Sequence, residues 1–334
     1  MTGTLSGAPA HDEQRSDGAP VGPRRFLRQA GLFVLVGAVL YLGVYAGAEQ
    51  LIRQFAHRNR FYMVKTAPHE SYDYVILGAS HATVFDFQDM NARLEQMTGS
   101  RILNLSTVGG GITVNRLLFE YFLSHHQATA VVYFLDSFVF YSREWNEDRL
   151  QDARLFHRAP FDPVLARLLL QHNWSIRPAL EYVVGFSKIN NQDRFKPDVR
   201  NEEGSRFLRA YRPVEQIDRQ RLTYLYPTQP RDDATPFAHY LDEFEDLVRY
   251  ATGRGIRFIA IKPPIPERVY RTLPSEWEFD AAVKESLDRY GAQFHDLSLV
   301  SNDEELFYDT DHLNRDGVLR FYETYLAGTL TPNN

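Results

Sequence analysis

The sequence predicts an α/β protein. The expected architecture is a doubly wound, flavodoxin-like parallel sheet of about five strands, with helices on both faces. It carries a largely helical or irregular insertion and one N-terminal transmembrane helix. Three observations predict this. Short apolar runs alternate with stripes of helical period. The alternation breaks once, at about residues 141–234, and then resumes. Near the start, the 20 residues from Gln29 to Ala48 carry no charge.

Residues 1–28 are rich in Gly, Ala, Pro, Ser and Asp, with little to bury, and read as a disordered cytoplasmic tail. Residues 29–48 read as the anchor. At 1.5 Å per residue they make roughly 30 Å of helix, one bilayer core. Arg24, Arg25 and Arg28 precede the span, and Arg53, Arg58 and Arg60 follow it. Charge bias therefore orients it weakly. A short tail before a first span and a large domain after it place the N-terminus inside and the domain outside the cytoplasm. The expected location is the cytoplasmic (inner) membrane, single-pass. "AGA" at 46–48 resembles a signal-peptidase site. The length of the apolar run favours an uncleaved anchor.

Residues 49–70 read as a juxtamembrane helix and linker, and 71–330 as the main domain. "DYVILG" (73–78) is a buried strand, 87–97 a helix, and "RILNLS" (101–106) a second strand. "TVGGG" (107–111) is a loop. The next helix places Val114, Leu117, Leu118, Tyr121 and Phe122 on one face. "AVVYFL" (130–135) is a third strand, apolar enough to be covered on both faces. After the insertion, Thr235 caps a helix whose buried stripe is Phe237, Tyr240, Leu241, Phe244, Leu247 and Val248. Residues 256–264 form a fourth strand, 276–290 a helix, 292–298 an edge strand, and Arg315 to Leu326 the last helix. Ligands of such sheets bind outside the carboxyl ends of the strands. The loops holding Ser80, Gly109–Gly111 and Asp136 should share that rim.

Bulk properties narrow the function. The 334 residues suffice for a sizeable core, and 44% are hydrophobic. The net charge of −6 gives no basic footprint for nucleic acid. With no cysteine, disulfides, thiolate metal sites and a cysteine nucleophile are excluded.

A serine nucleophile needs a base, and the base needs an orienting carboxylate. Of eleven histidines, His312 in "YDTDHLNRDG" stands out. Asp309, three residues earlier, can fold back onto one ring nitrogen and leave the other to face Ser80. Oxyanion donors would come from the backbone N–H of Ser80 and of Gly109 or Gly110. Ser80 alone reads equally as the N-cap of a helix.

A strand ending in G-x-S, a glycine loop after the second strand and a late D-x-x-H before the final helix resemble the SGNH hydrolases over roughly residues 71–330. With the N-terminal span and "GASH" at the serine, the chain looks most like their membrane-anchored extracytoplasmic acyltransferase branch. That branch includes the lipoteichoic acid D-alanine transfer and alginate-type O-acetylation proteins. The resemblance implies a Ser80–His312–Asp309 triad, a serine acyl-enzyme and no cofactor. It also implies a membrane-bound O-acyltransferase partner and an envelope polysaccharide acceptor. An esterase on acylated glycans and a non-catalytic assembly subunit are the other functions compatible with the fold.

The sequence departs from the family in two blocks. Gly78-Ala79-Ser80-His81 stands where G-D-S-x is usual. Asp136 and Ser137 stand where an oxyanion-hole Asn is usual. An ionised Asp136 would repel an oxyanion, so either Ser137 donates a hydrogen bond or the hole has only two donors. Asp136 then contacts substrate, or holds His81 or an arginine. His81 reads as a substrate contact at the mouth of the site, or as a solvent-facing or packing residue.

Other motifs are weaker. "GGG" at 109–111 lacks the partners of a nucleotide loop. Residues 312–323 match part of an EF-hand, but His312 at its first position is a poor calcium ligand. Asn314 reads instead as the last helix's N-cap. Asp309, Asp311 and His312 have transition-metal ligand types, but no further ligands are located, so no metal is assigned. His125 and His126 read as solvated. Trp145, Trp174, Tyr211, Tyr224 and Tyr226 are candidates for a glycan groove or for packing.

Overall fold

The computed structural model describes residues 22–171, 176–191, 202–227 and 233–330. Expectations for residues 1–21 and for Trp174 lie outside these. The chain divides into two compact units, Met1–Ala46 and Gly47–Asn334.

The described part of the first unit belongs to helix α1 (Pro23–Phe55). Proline at the first helical position is preorganised for a start there, so the helix begins before the apolar run. Leu32, Phe33, Val34 and Leu35 are exposed. Among the described residues this is the one helix long and apolar enough to cross a membrane.

The second unit opens with the end of α1, where Ala48 and Ile52 are buried. Helix α2 (Arg60–Thr66) follows, capped by Asn59, whose side chain accepts from the N–H groups of Phe61 and Tyr62. Strand β1 (Ser71–Gly78) leads into the short helix α3 (Ser80–Thr83), then α4 (Met90–Thr98). Strand β2 (Ile102–Asn104), helix α5 (Ile112–Leu123) and strand β3 (Gln127–Phe134) come next. Residues 141–234 contribute short helices: α6 (Glu147–Gln151), α7 (Pro163–Gln171), α8 (Ile176–Val184), α9 (Phe186–Ile189) and α10 (Glu215–Leu225). The chain then runs α11 (Thr235–Thr252), β4 (Arg257–Lys262), α12 (Glu267–Tyr270), α13 (Glu276–Arg289), β5 (Gln293–Asp296), α14 (Arg315–Phe321) and α15 (Ala327–Leu330).

The five strands form one all-parallel sheet in the order β2-β1-β3-β4-β5. Strand alternation sends side chains to two cores. Val75, Leu77, Val131, Tyr133, Phe258 and Ala260 pack with α5, α11 and α13. Tyr74, Ile76, Val132, Phe134, Ile259 and Ile261 pack with α4, α14 and α15. Helices on both faces satisfy every buried strand, which is why the strands read as continuous apolar runs. The order reverses between β1 and β3, and a ligand crevice opens at such a switch point. Ser80 follows β1 and Asp136 follows β3, so both flank it.

Local details differ from the sequence reading. The helix expected at 87–97 starts later, at Met90, and α3 and a 3₁₀ turn at Val84–Asp86 precede it. Thr235 is inside its helix, not its cap, and the Asp233 carboxylate accepts from the Thr235 N–H at 2.9 Å. The last helix loosens into a π turn at Tyr322–Leu326. His125 and His126 are tied down: His125 meets Asp162 at 3.0 Å, and His126 the carbonyls of Val64 and His69 at 2.6 and 2.8 Å. Asn314 does cap α14, accepting from the Gly317 N–H at 2.9 Å.

Candidate active site

Ser80 is the first residue of α3, one residue beyond a sharp bend. The bend needs glycine. Gly78 has φ +140°, and a Cβ there would lie 2.9 Å from the Phe134 carbonyl oxygen. Asn115 of α5, fully buried, holds the bend from behind. Its Oδ1 accepts from the Gly78 N–H at 3.0 Å, and its Nδ2 donates to the carbonyls of Gly110 and Gly111 at 3.0 and 2.8 Å. One side chain thus joins the serine turn to the glycine loop. Ser80 is half-buried, and its hydroxyl has no hydrogen-bond partner among the described residues. Its N–H, at the start of a helix, has no intrahelical acceptor.

His312 sits in a tight turn before α14. The Asp309 carboxylate accepts from the His312 N–H at 2.8 Å and lies 3.0 Å from His312 Nδ1 through each oxygen. The other ring nitrogen, Nε2, is buried with no partner among the described residues. Ser80, Gly109, Asp309 and His312 line one pocket of about 690 Å³. Trp145, Arg221, Tyr224 and Tyr308 line it too, and the Tyr308 ring stacks on His312 at 5.6 Å.

Behind His312 lies a charged layer that sequence reading did not assemble. His81 is not at the mouth of the site. It is buried, because α3 turns it toward the sheet, and its ring stacks on His312 with centroids 4.5 Å apart and planes 21° from parallel. Its Nδ1 meets Asp136 Oδ1 at 2.5 Å, and its Nε2 lies 3.5 Å from Asp311, an ion pair too long for a hydrogen bond. Asp136 thus holds His81 through Oδ1, while its Oδ2 is buried with no partner among the described residues. Asp311 also accepts from Arg221 Nε at 2.9 Å and lies 3.1 Å from His312 Nδ1. Asp311 was visible in "DTDH", but nothing in the sequence linked it to Arg221 of α10, 90 residues away. Asn115 had no signal beyond its place in an apolar helix.

The electrostatics follow. Burial alone would lower the basicity of His81, but Asp136 and Asp311 outweigh it and push the pKa up to about 10. Burial and His81 both pull His312 down; Asp309 and Asp311 outweigh them, and it ends above its ordinary value. Despite burial, Arg221 and His312 hold Asp311 well below the usual carboxylate range, and His312 holds Asp309 below it. With His312 neutral, three carboxylates (Asp136, Asp309, Asp311) face two cations (His81, Arg221). One negative charge is left over, and a proton arriving on His312 cancels it.

Two expected oxyanion donors are already committed. The Gly110 N–H donates to the Thr107 carbonyl at 2.8 Å, closing the loop's turn. The Ser137 hydroxyl pairs with Tyr226 at 2.6 Å and donates to Glu276. Ser137 belongs to a second, smaller cavity, also lined by His81, Asp136, Lys262 and Glu276. Gly109 differs: its φ is +64°, and its N–H has no partner among the described residues. Of the insertion's aromatics, Trp145 and Tyr224 line the pocket, Tyr226 is buried against Ser137, and Tyr211 packs on Arg268.

Among the described residues, one group approaches metal-ligand spacing: His81, Asp311 and His312, with ligand atoms within 4.8 Å. Imidazole lone pairs lie in the ring plane. Two near-parallel stacked rings send theirs along separate planes rather than to a common ion. The residues fit an ion-pair network, not a coordination shell.

Chemically, residues lining one pocket offer a hydroxyl, an oriented imidazole with a free nitrogen, and unpaired N–H groups; Ser80 and His312 make no hydrogen bond to each other in this structure.

No protein-family model matches the chain, and no curated protein matches it. Among solved structures it is similar to a Bacteroides fragilis protein carrying the provisional name acylhydrolase. Identity is 9%, with 79% of this chain and 89% of that one covered, and the TM-score is 0.36.

Proposed function

We propose that this chain is a membrane-anchored serine O-acyltransferase of the cell envelope. In this reading Ser80 is the nucleophile, His312 the general base and Asp309 its orienting carboxylate. The observation that carries it is His312: Nδ1 held by Asp309, Nε2 buried and unpaired, on the wall of the pocket that holds Ser80.

The steps balance as follows. Ser80 Oγ adds to the carbonyl carbon of an acyl donor as His312 Nε2 takes the hydroxyl proton. The N–H groups of Ser80 and Gly109 receive the oxyanion. The bond to the leaving group breaks, and His312 returns the proton to it. An acceptor hydroxyl then gives its proton to His312 and attacks the acyl-serine. Collapse releases the new ester, and His312 reprotonates Ser80. The leftover negative charge of the resting site stabilises the imidazolium that forms on His312 as each attack proceeds.

Trp145, Tyr224 and Tyr308 support a sugar acceptor, because aromatic faces suit the apolar faces of pyranose rings. The apolar helix supports an anchored enzyme with its domain outside the cytoplasm. The resemblance to envelope O-acetylation proteins supports an acetyl group delivered by a membrane-bound O-acyltransferase partner. A second reading, an esterase that strips acyl groups from glycans, is favoured by the pocket's opening to solvent, which admits water as acceptor.

Product analysis separates the two. The full chain in detergent is given an activated acetyl ester with and without an oligosaccharide. Transfer predicts an acetylated sugar at the expense of free acetate. Acetate alone, at a rate the sugar leaves unchanged, contradicts transfer and favours the esterase.

A further inference from the structure

The site contains two His–Asp pairs, not one. The reading above uses His312 and Asp309. The second pair, His81 and Asp136, lies directly behind, ring against ring.

We propose that His81 is a positioning residue for His312: a cation, locked by Asp136 and Asp311, that supports the base's ring and opposes its premature protonation. This rests on the assignment of His312 as base, and three observations carry it.

First, His312 Nδ1 faces carboxylates on two sides, Asp309 at 3.0 Å and Asp311 at 3.1 Å. Two carboxylates on one imidazole hold it protonated, and a protonated imidazole accepts nothing from Ser80. A working base needs a counterweight. Second, the charged groups around His81 account for it as that counterweight. Asp136 from the end of β3 takes Nδ1, and Asp311 lies 3.5 Å from Nε2. Arg221 faces Asp311 from its other side. Lys262 and Glu276, which share a cavity with His81, are paired to each other at 2.8 Å. Third, the geometry is specific. Neither ring nitrogen of His81 reaches the pocket holding Ser80, so His81 does not contact substrate there; it touches the base face to face.

Asp136 gains a role as well. It stands where the resemblance implies an oxyanion-hole asparagine, and its carboxylate serves His81 instead.

The test follows His312 by nuclear magnetic resonance on the full chain in detergent, with labelled histidine. The His312 signal is identified by its loss in His312→Gln. His81→Phe keeps a ring in the stack and removes the charge; His81→Gln keeps a donor for Asp136 and removes the charge. Each should raise the pH at which His312 is half-protonated by about one unit or more, as expected for loss of a cation at van der Waals contact. The acidic limb of the pH–rate profile for acyl-enzyme formation should move up with it. A rise under about half a unit in both variants, no change, or a fall overturns the proposal. Should neither variant fold, the unmodified chain decides. His81 should show the imidazolium nitrogen shifts at about pH 8, well above the ordinary histidine range, and a neutral ring there overturns the proposal. The titration needs no turnover. An inactive enzyme would sink the acyltransfer reading while leaving this result readable.

Discussion

At the residue scale, the proposed mechanism turns on one unpaired nitrogen. His312 Nε2 is buried without a partner while Nδ1 is held by Asp309. Unpaired buried nitrogens cost stability, and this one belongs to a residue that lines the pocket holding Ser80. Asp309→Asn should reduce acyl transfer by roughly 10²–10⁴-fold with little change in KM, because the amide favours the wrong tautomer. Ser137→Ala provides the contrast. Its hydroxyl is spent on Tyr226 and Glu276, so the rate should stay within roughly threefold of normal while stability falls by about 1 kcal/mol. Steady-state kinetics and denaturant melts on the two variants check this. A rate loss for Ser137→Ala as large as that for Asp309→Asn would return Ser137 to the oxyanion hole.

At the element scale, the sheet was legible because burial on both faces writes itself as apolar runs. "DYVILG" and "AVVYFL" could hardly be anything else, and their order around a glycine-ended first strand gave the rim. The late "DTDH" was legible for a local reason: three residues suffice to fold Asp309 onto His312. What stayed hidden depends on distant elements. Nothing in "QRLTYL" announces that α10 brings Arg221 to Asp311. Nothing in "GASH" announces that α3 turns its histidine inward while its serine stays on the pocket. The bend at Gly78 enforces that split, so Gly78→Ala is the element-scale test. Its φ of +140° and the 2.9 Å approach to the Phe134 carbonyl leave no room for a methyl group. The expected outcome is a loss of roughly 1–3 kcal/mol in denaturant melts, together with loss of acyl transfer in whatever remains folded. Unchanged stability would show that the strand end tolerates another path.

At the scale of the whole molecule, the buried ion layer ties stability to pH. His81 has a pKa of about 10 in the folded chain against an ordinary 6.5. Its contribution is complete below 6.5 and is lost as pH rises toward 10. Asp309 and Asp311 lie below the ordinary 3.8, so their contribution is present above 3.8 and is lost on acidification. The melting temperature should therefore fall on both sides of the window between 3.8 and 6.5. In His81→Gln the alkaline fall should be shallower. An alkaline limb of equal steepness would mean that His81 is not the titrating group.

The most direct measurement is the mass of the enzyme itself during reaction. The full chain, mixed with an activated acetyl ester and quenched in acid, should carry one acetyl group, mapped by peptide sequencing to Ser80. Ser80→Ala should carry none there, and His312→Gln should acquire it at least roughly 10²-fold more slowly. An unlabelled Ser80 in the active wild-type chain, or equal labelling of wild type and Ser80→Ala, would contradict the serine acyl-enzyme.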